Sequence, residues 1–178
     1  VDIQGAYPNQ ASYEPLWNAF QETGIACGMH SLTSGVGVQG LAPSHKQWSP
    51  GIFQERALDG RQMQSEGSKS QTLGFIHEAM TWMCNVLISG FLERHPGVTM
   101  AIMESNAGWL PMLLEECDKA VHLYKSERKL SISRPPSRSF MDHCFIAFEG
   151  DEKLVYLQHS LFEDIGIWSS DVYHADGA

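Results

Sequence analysis

Four short apolar runs, alternating with stretches of helical spacing, constrain this chain more than any other feature. The runs cover residues 25–29, 98–103, 144–148 and 167–169. Before the first, residues 12–20 place Leu16, Trp17 and Phe20 on one face, with Pro15 near the start and Gly24 as the stop. A second stripe, capped at Thr72, carries Phe75, Ile76, Ala79, Met83, Val86, Leu87 and Phe91 until Pro96 and Gly97 end it. Residues 109–128 form a third helix with Trp109, Leu110, Leu113, Leu114, Cys117 and Val121 inward. A fourth runs from an Asp151 cap to Leu161 and is closed by Gly166. Strict alternation of helix and apolar strand predicts a parallel sheet with helices outside it.

Doubly wound sheets and barrels both satisfy that order. A complete barrel needs eight units and ~250 residues, so four strands in 178 residues amount to half of one. The chain opens on Val1 and stops at Ala178 after a polar run, and both ends are expected to be cuts. Residues 1–178 are therefore expected to form one α/β domain, with the choice between the two architectures open on pattern alone. Two segments stand outside the alternation. Residues 31–71 are rich in Gly, Ser and Gln and read as a long loop, of the kind that serves as a lid or binding segment. A polar connection containing Pro135 and Pro136 leads into the third run.

Composition removes several classes. The net charge is -9, and the best basic cluster, Lys125, Arg128, Lys129, Arg134 and Arg138, is diluted by Glu127 and serines. A nucleic-acid surface needs a basic stripe, so nucleic acid is not an expected partner. No run approaches the ~20 apolar residues of a membrane span. Cys27, Cys84, Cys117 and Cys144 lack any paired spacing and each lies in or beside an apolar run. They read as small buried hydrophobes in a reducing, cytoplasmic setting.

Reactive groups in parallel α/β folds sit at the C-terminal ends of strands. Three of the four runs end at or just before His30, Glu104 and Asp171; the other ends at Phe148 and Glu149. Imidazole and carboxylate together suit zinc, manganese or iron, and such a metal activates water at neutral pH. Each residue has a structural role open to it as well. His30 could be a hydrogen-bonded residue at the core edge, Glu104 a helix-terminus carboxylate, and Asp171 a turn residue. His174, three residues beyond Asp171 on the same loop, is kept as a candidate. The nucleophile elbow, dinucleotide turn, P-loop and H-E-x-x-H templates are all absent. Gly35-Val36-Gly37 lacks the strand-to-helix setting of a dinucleotide fingerprint.

These residues carry a family resemblance. The passage from Glu14-Pro15-Leu16-Trp17 to Gly28-Met29-His30 resembles the helix and His-ended strand of amidohydrolase-related proteins. The segment from Ser89-Gly90-Phe91 to His95-Pro96-Gly97-Val98 resembles their approach to the sixth strand. Glu104-Ser105-Asn106-Ala107-Gly108-Trp109 resembles the loop after it, and Trp168-Ser169-Ser170-Asp171-Val172-Tyr173-His174 their eighth-strand signature. The resemblance implies strands five to eight of a (β/α)8 TIM barrel with one catalytic metal, as in the aminocarboxymuconate-semialdehyde decarboxylase type. Carried over, His30 and Asp171 are metal ligands, and Asp171 also accepts a proton. Glu104 takes the place where the sixth strand often carries His, as it does in one branch of the family. Trp109 and His174 are expected to contact substrate. Two departures stand out: the chain contains no His-x-His pair, and Glu104 stands at the sixth-strand His position; Tyr173 also meets His174 without the usual intervening proline.

The expectation that follows is a metal-dependent hydrolase, zinc being the first choice of metal, acting on a small organic acid or amide. A decarboxylase of the same fold is the first alternative. A non-catalytic half-barrel serving in binding or assembly is the second, since an open half exposes two strand edges and would self-associate as a homo-oligomer or pair with another half. A doubly wound domain for phosphorylated ligands is opposed by the lack of a Gly-rich phosphate loop.

Overall fold

The computed structural model describes residues 10–30 and 62–172, with side chains for 10–30 and 74–172. After a 3-10 turn at Ala11–Tyr13, helix α1 spans Glu14–Thr23. Gly24 ends it in the left-handed conformation, φ 67°, which glycine adopts without a Cβ penalty. Trp17 is the buried residue of α1, packed edge-to-face on Phe91 at 4.8 Å between ring centroids. Strand β1 is Cys27–His30.

Helix α2 spans Gln62–Ile88, so residues 62–71, expected in a loop, are helical, and Thr72 lies within the helix instead of capping it. Gln, Met, Glu and Lys in that stretch are good helix formers, and a packed helix propagates cheaply beyond its apolar stripe. The rest of the expected loop, residues 31–61, lies outside the described residues. The stripe to Phe91 is also two helices. Gly90, at φ 69°, separates α2 from the short α3, Phe91–Arg94. Strand β2 is Met100–Met103 and helix α4 is Leu110–Tyr124, four residues shorter at its C-terminus than the periodicity predicts.

The polar connection contains a helix that the pattern does not announce. Helix α5, Pro136–His143, buries only Pro136, Ser139 and Phe140, too few apolar positions to make a readable stripe. Its first turn is fixed from outside, by the Asp118 carboxylate accepting from the Ser137 amide at 2.8 Å and from its hydroxyl. Strand β3 is Cys144–Phe148, as expected. The fourth helix is two short ones, α6 at Lys153–Leu157 and α7 at His159–Phe162. Asp151 does not cap α6; Glu152 precedes it. Gly166 opens strand β4, Gly166–Trp168, instead of closing a helix. A Cβ there would lie 2.8 Å from the Phe162 carbonyl oxygen and 3.0 Å from Phe148, so close packing selects glycine.

The four strands form one parallel sheet in the order β1-β2-β3-β4. A doubly wound sheet reverses strand order at its switch point, whereas sequential order throughout is that of consecutive units in a (β/α)8 barrel. Register aligns Met29, Ile102, Ile146 and Gly166 across the sheet. Met100, Ile102, Cys144 and Ile146 are buried on one face with Phe140, Met83, Leu110 and Leu114 of the helices. On the other face Met103, Phe145 and Ile167 remain 39–44% exposed. That second face is the one a closed barrel fills with side chains.

All four cysteines are free. Cys117 and Cys144 are buried as expected, but Cys27 and Cys84 are only half-buried. A hydrogen bond from Cys117 draws the Cys84 thiol down to about 7 against the opposing effect of burial. Burial pushes Cys144 up to about 12. Because the thiolate is the reactive form, iodoacetamide at neutral pH is expected to alkylate Cys84 before Cys144, as read by peptide mass spectrometry. Earlier labelling of Cys144 would contradict this ordering. No helix among the described residues is long and apolar enough to cross a membrane.

Candidate active site at the strand tips

The parallel sheet brings its four C-terminal strand ends to one edge. His30 is the last residue of β1 and pairs in register with Met103, the last residue of β2. Glu104 follows Met103 directly, so adjacent strand ends put an imidazole beside a carboxylate. His30 Nε2 lies 3.9 Å from Glu104 Oε2, with the histidine side chain 55% exposed and the glutamate 29%. That separation exceeds a hydrogen bond. Asp171 lies three residues past the end of β4, half-buried, on the same edge.

Backbone conformation marks the same positions. Glu104, Asn106, Lys129 and Asp171 are the non-glycine residues with positive φ among those described. Two of these four are candidate site residues, at φ 55° and 44°. Such conformations cost on the order of 1–3 kcal/mol each and cluster where a fold holds functional groups in place. Asn tolerates this region better than most residues; glutamate has no such excuse, so the surroundings must impose it.

The loop from Glu104 to Trp109 shows how. Trp109, 8% exposed, turns its indole N–H back onto the carbonyls of Ser105 and Asn106, both at 2.9 Å. Ser105 and Ala107 are buried. Glu152, from the connection after β3, accepts from the amides of Ala107 at 2.8 Å and Gly108 at 3.0 Å through Oε2. Its other oxygen accepts from the Glu149 amide at 3.0 Å. Sequence reading passed over Glu152, which stood among Glu149, Asp151 and Lys153 as an ordinary helix-start acid. Only its contacts 44 and 45 residues away distinguish it, and no local pattern encodes those.

The structure thus unites His30 and Glu104 and puts Asp171 on the same edge at the far side of the sheet. Three strand spacings separate β1 from β4, roughly 14 Å along a flat sheet. Closure of a barrel turns strand tips toward a common axis and is what would bring His30 and Asp171 to one point. Trp109 has its only donor committed to the loop. His174 lies outside the described residues. For a divalent metal the donors fit in kind, since imidazole nitrogen and carboxylate oxygen suit zinc or manganese. They fall short in number: among the described residues, no cluster of three or more His, Cys, Asp or Glu is placed to hold an ion.

Comparison with known proteins agrees with the fold. The profile of the family described as Amidohydrolase matches residues 1–156. No curated protein matches the chain. Among solved structures, it is similar to an amidohydrolase from Mycobacterium avium subsp. paratuberculosis, at 19% identity and a TM-score of 0.67, over 96% of this chain and 39% of that one. It is also similar to 5-carboxyvanillate decarboxylase from Sphingomonas paucimobilis, at 16% identity and TM-score 0.60, over 94% and 45% of the two chains. A dihydroxybenzoic acid decarboxylase from Polaromonas, solved with manganese and 2-nitroresorcinol, aligns at 17% identity and TM-score 0.57, over 94% and 45%. The chain spans less than half the length of each of these structures. With a family profile covering most of its length and the sequential parallel units of a (β/α)8 barrel, the chain belongs to the amidohydrolase family.

Proposed function

We propose that the complete protein is a metal-dependent enzyme acting on a small organic acid or amide, by hydrolysis or by decarboxylation. The observation that carries this reading is the His30–Glu104 pair at the C-terminal edge of a parallel sheet, 3.9 Å apart and open to solvent. His30 and Asp171 would hold the metal, together with donors from outside the described residues. When bound, the ion supplies Lewis acidity, polarising a carbonyl or carboxylate and favouring ionised water. Glu104 Oε2 faces the space beside His30 and accepts a proton from water or orients substrate there, a role suited to a carboxylate near a positive charge. Trp109 serves this site through the loop it braces.

Two features weigh on the type of reaction. Membership of the Amidohydrolase family supports hydrolysis. The decarboxylases of carboxylated phenols among similar structures support carbon dioxide release, and manganese in one of them supports that ion beside zinc. The deciding experiment uses the complete protein, stripped of metal and reloaded with manganese or zinc. Carbon dioxide release is followed from hydroxylated benzoates, and amine or acid release from small amides. Turnover that appears only on metal addition is the expected result, and the product names the reaction. Equal turnover in the stripped protein, or none with either ion, would overturn the reading.

A further inference from the structure

We propose that Glu152 is the positioning residue for Glu104. This inference rests on the reading of Glu104 as the group that accepts a proton or orients substrate beside His30. Glu104 leaves β2 in the left-handed conformation, and Asn106 repeats that conformation two residues on. A segment with two such turns needs its amides held, because neither residue type prefers the shape enough to keep it alone. The Trp109 indole ties together the carbonyls of Ser105 and Asn106, but these bonds are internal to the loop. They fix its shape and not its place above the sheet.

Placement comes from Glu152. One carboxylate oxygen takes both the Ala107 and Gly108 amides, and the other takes the Glu149 amide at the tip of β3. Three N–H donors converge on one side chain, and bonds to an ionised acceptor are the stronger kind. The carboxylate therefore joins the loop after β2 to the loop after β3, so that Glu104 is registered against two strands instead of one. Leu154 supports the arrangement from the apolar side: a Cβ on Gly108 would meet it at 3.1 Å, so loop and α6 are in close contact there. Without the clamp, Glu104 loses its fixed distance to His30, and a displacement of about 1 Å at a reacting group costs about 10²-fold in rate.

The test uses the complete protein and the variants Glu152→Ala, Glu152→Gln, Glu104→Gln and Glu104→Gln/Glu152→Ala. Glu152→Ala is expected to lower kcat by about 10²-fold with a small change in KM. Glu152→Gln, which keeps an oxygen for Ala107 and Gly108, is expected to recover most of that loss. In the Glu104→Gln background, removing Glu152 is expected to cost nothing further, because its effect runs through Glu104. An equal multiplicative loss in both backgrounds overturns the proposal. Amide exchange gives a readout independent of any substrate: the Ala107 and Gly108 amides are expected to exchange faster in Glu152→Ala while Ile102 and Ile146 stay protected. Unchanged exchange at Ala107 and Gly108 overturns the proposal even where the wild-type protein turns over no tested compound, an outcome that would sink the functional reading alone. Should Glu152→Ala not fold, Glu152→Gln is read at Glu149 instead: its side-chain NH2 replaces the oxygen that accepts from the Glu149 amide, so that amide is expected to exchange faster, and unchanged exchange there overturns the clamp.

Discussion

His30→Ala and Asp171→Asn are each expected to lower kcat/KM of the complete protein by about 10²- to 10⁴-fold, the range a well-placed acid–base group supplies. The lower bound corresponds to about 2.7 kcal/mol of barrier. Folding should barely respond. The His30 side chain is 55% exposed at the end of its strand, so truncation removes little buried area, and exposed substitutions of this kind stay within about 0.5 kcal/mol. Asp171 sits at φ 44°, and Asn keeps its size while tolerating that backbone. Steady-state kinetics beside thermal melts separate the two effects. Wild-type-like turnover in either variant would remove that residue from the site, and a large drop in melting temperature would make its role structural.

The largest loss of stability is expected from Gly90→Ala. At φ 69° an alanine costs about 1–2 kcal/mol for the left-handed conformation alone. Its Cβ would also lie 2.5 Å from the Ser131 carbonyl oxygen, and overpacking of that kind costs about 1–3 kcal/mol more. The carbonyl has little room to retreat. Glu93 holds the following segment, accepting from the Ser133 amide at 2.8 Å, its hydroxyl at 2.7 Å and the Arg134 amide at 3.2 Å. Phe91 and Leu92, each 2% exposed, hang from the same junction. A total of roughly 2–5 kcal/mol is a large part of the 5–15 kcal/mol that stabilises an ordinary domain. Gly24→Ala provides the control: φ is 67°, yet its Cβ meets nothing within 4 Å, so only the conformational cost applies. Denaturant titration of both variants decides the matter, and equal midpoints would show that the Ser131 contact carries no weight.

Legibility differed between elements for physical reasons. Strand β3 could be placed to the residue because Cys144–Phe148 is a compact apolar run between polar neighbours. Helix α4 was visible because its buried positions, from Leu110 to Val121, recur at helical spacing. Helix α5 was invisible because it is held by Asp118 at its start and by Phe140 in the core, neither of which makes a periodic signal. The break between α2 and α3 was hidden because Phe91 continues the apolar stripe after Gly90 has turned the chain.

The sequence by itself determined the alternation of helix and strand, the parallel sheet that alternation requires, and the strand-end positions of His30, Glu104 and Asp171. Those follow from local pattern, since apolar runs and helical stripes are properties of neighbouring residues. Only the tertiary structure decided the sequential strand order, the 3.9 Å approach of His30 to Glu104, and the clamp that Glu152 places on the loop between Glu104 and Trp109. Each depends on register between strands or on contacts 40 or more residues apart. Such contacts form because buried amides must find acceptors once the sheet has closed over them, and nothing in the neighbouring residues specifies which acceptor it will be.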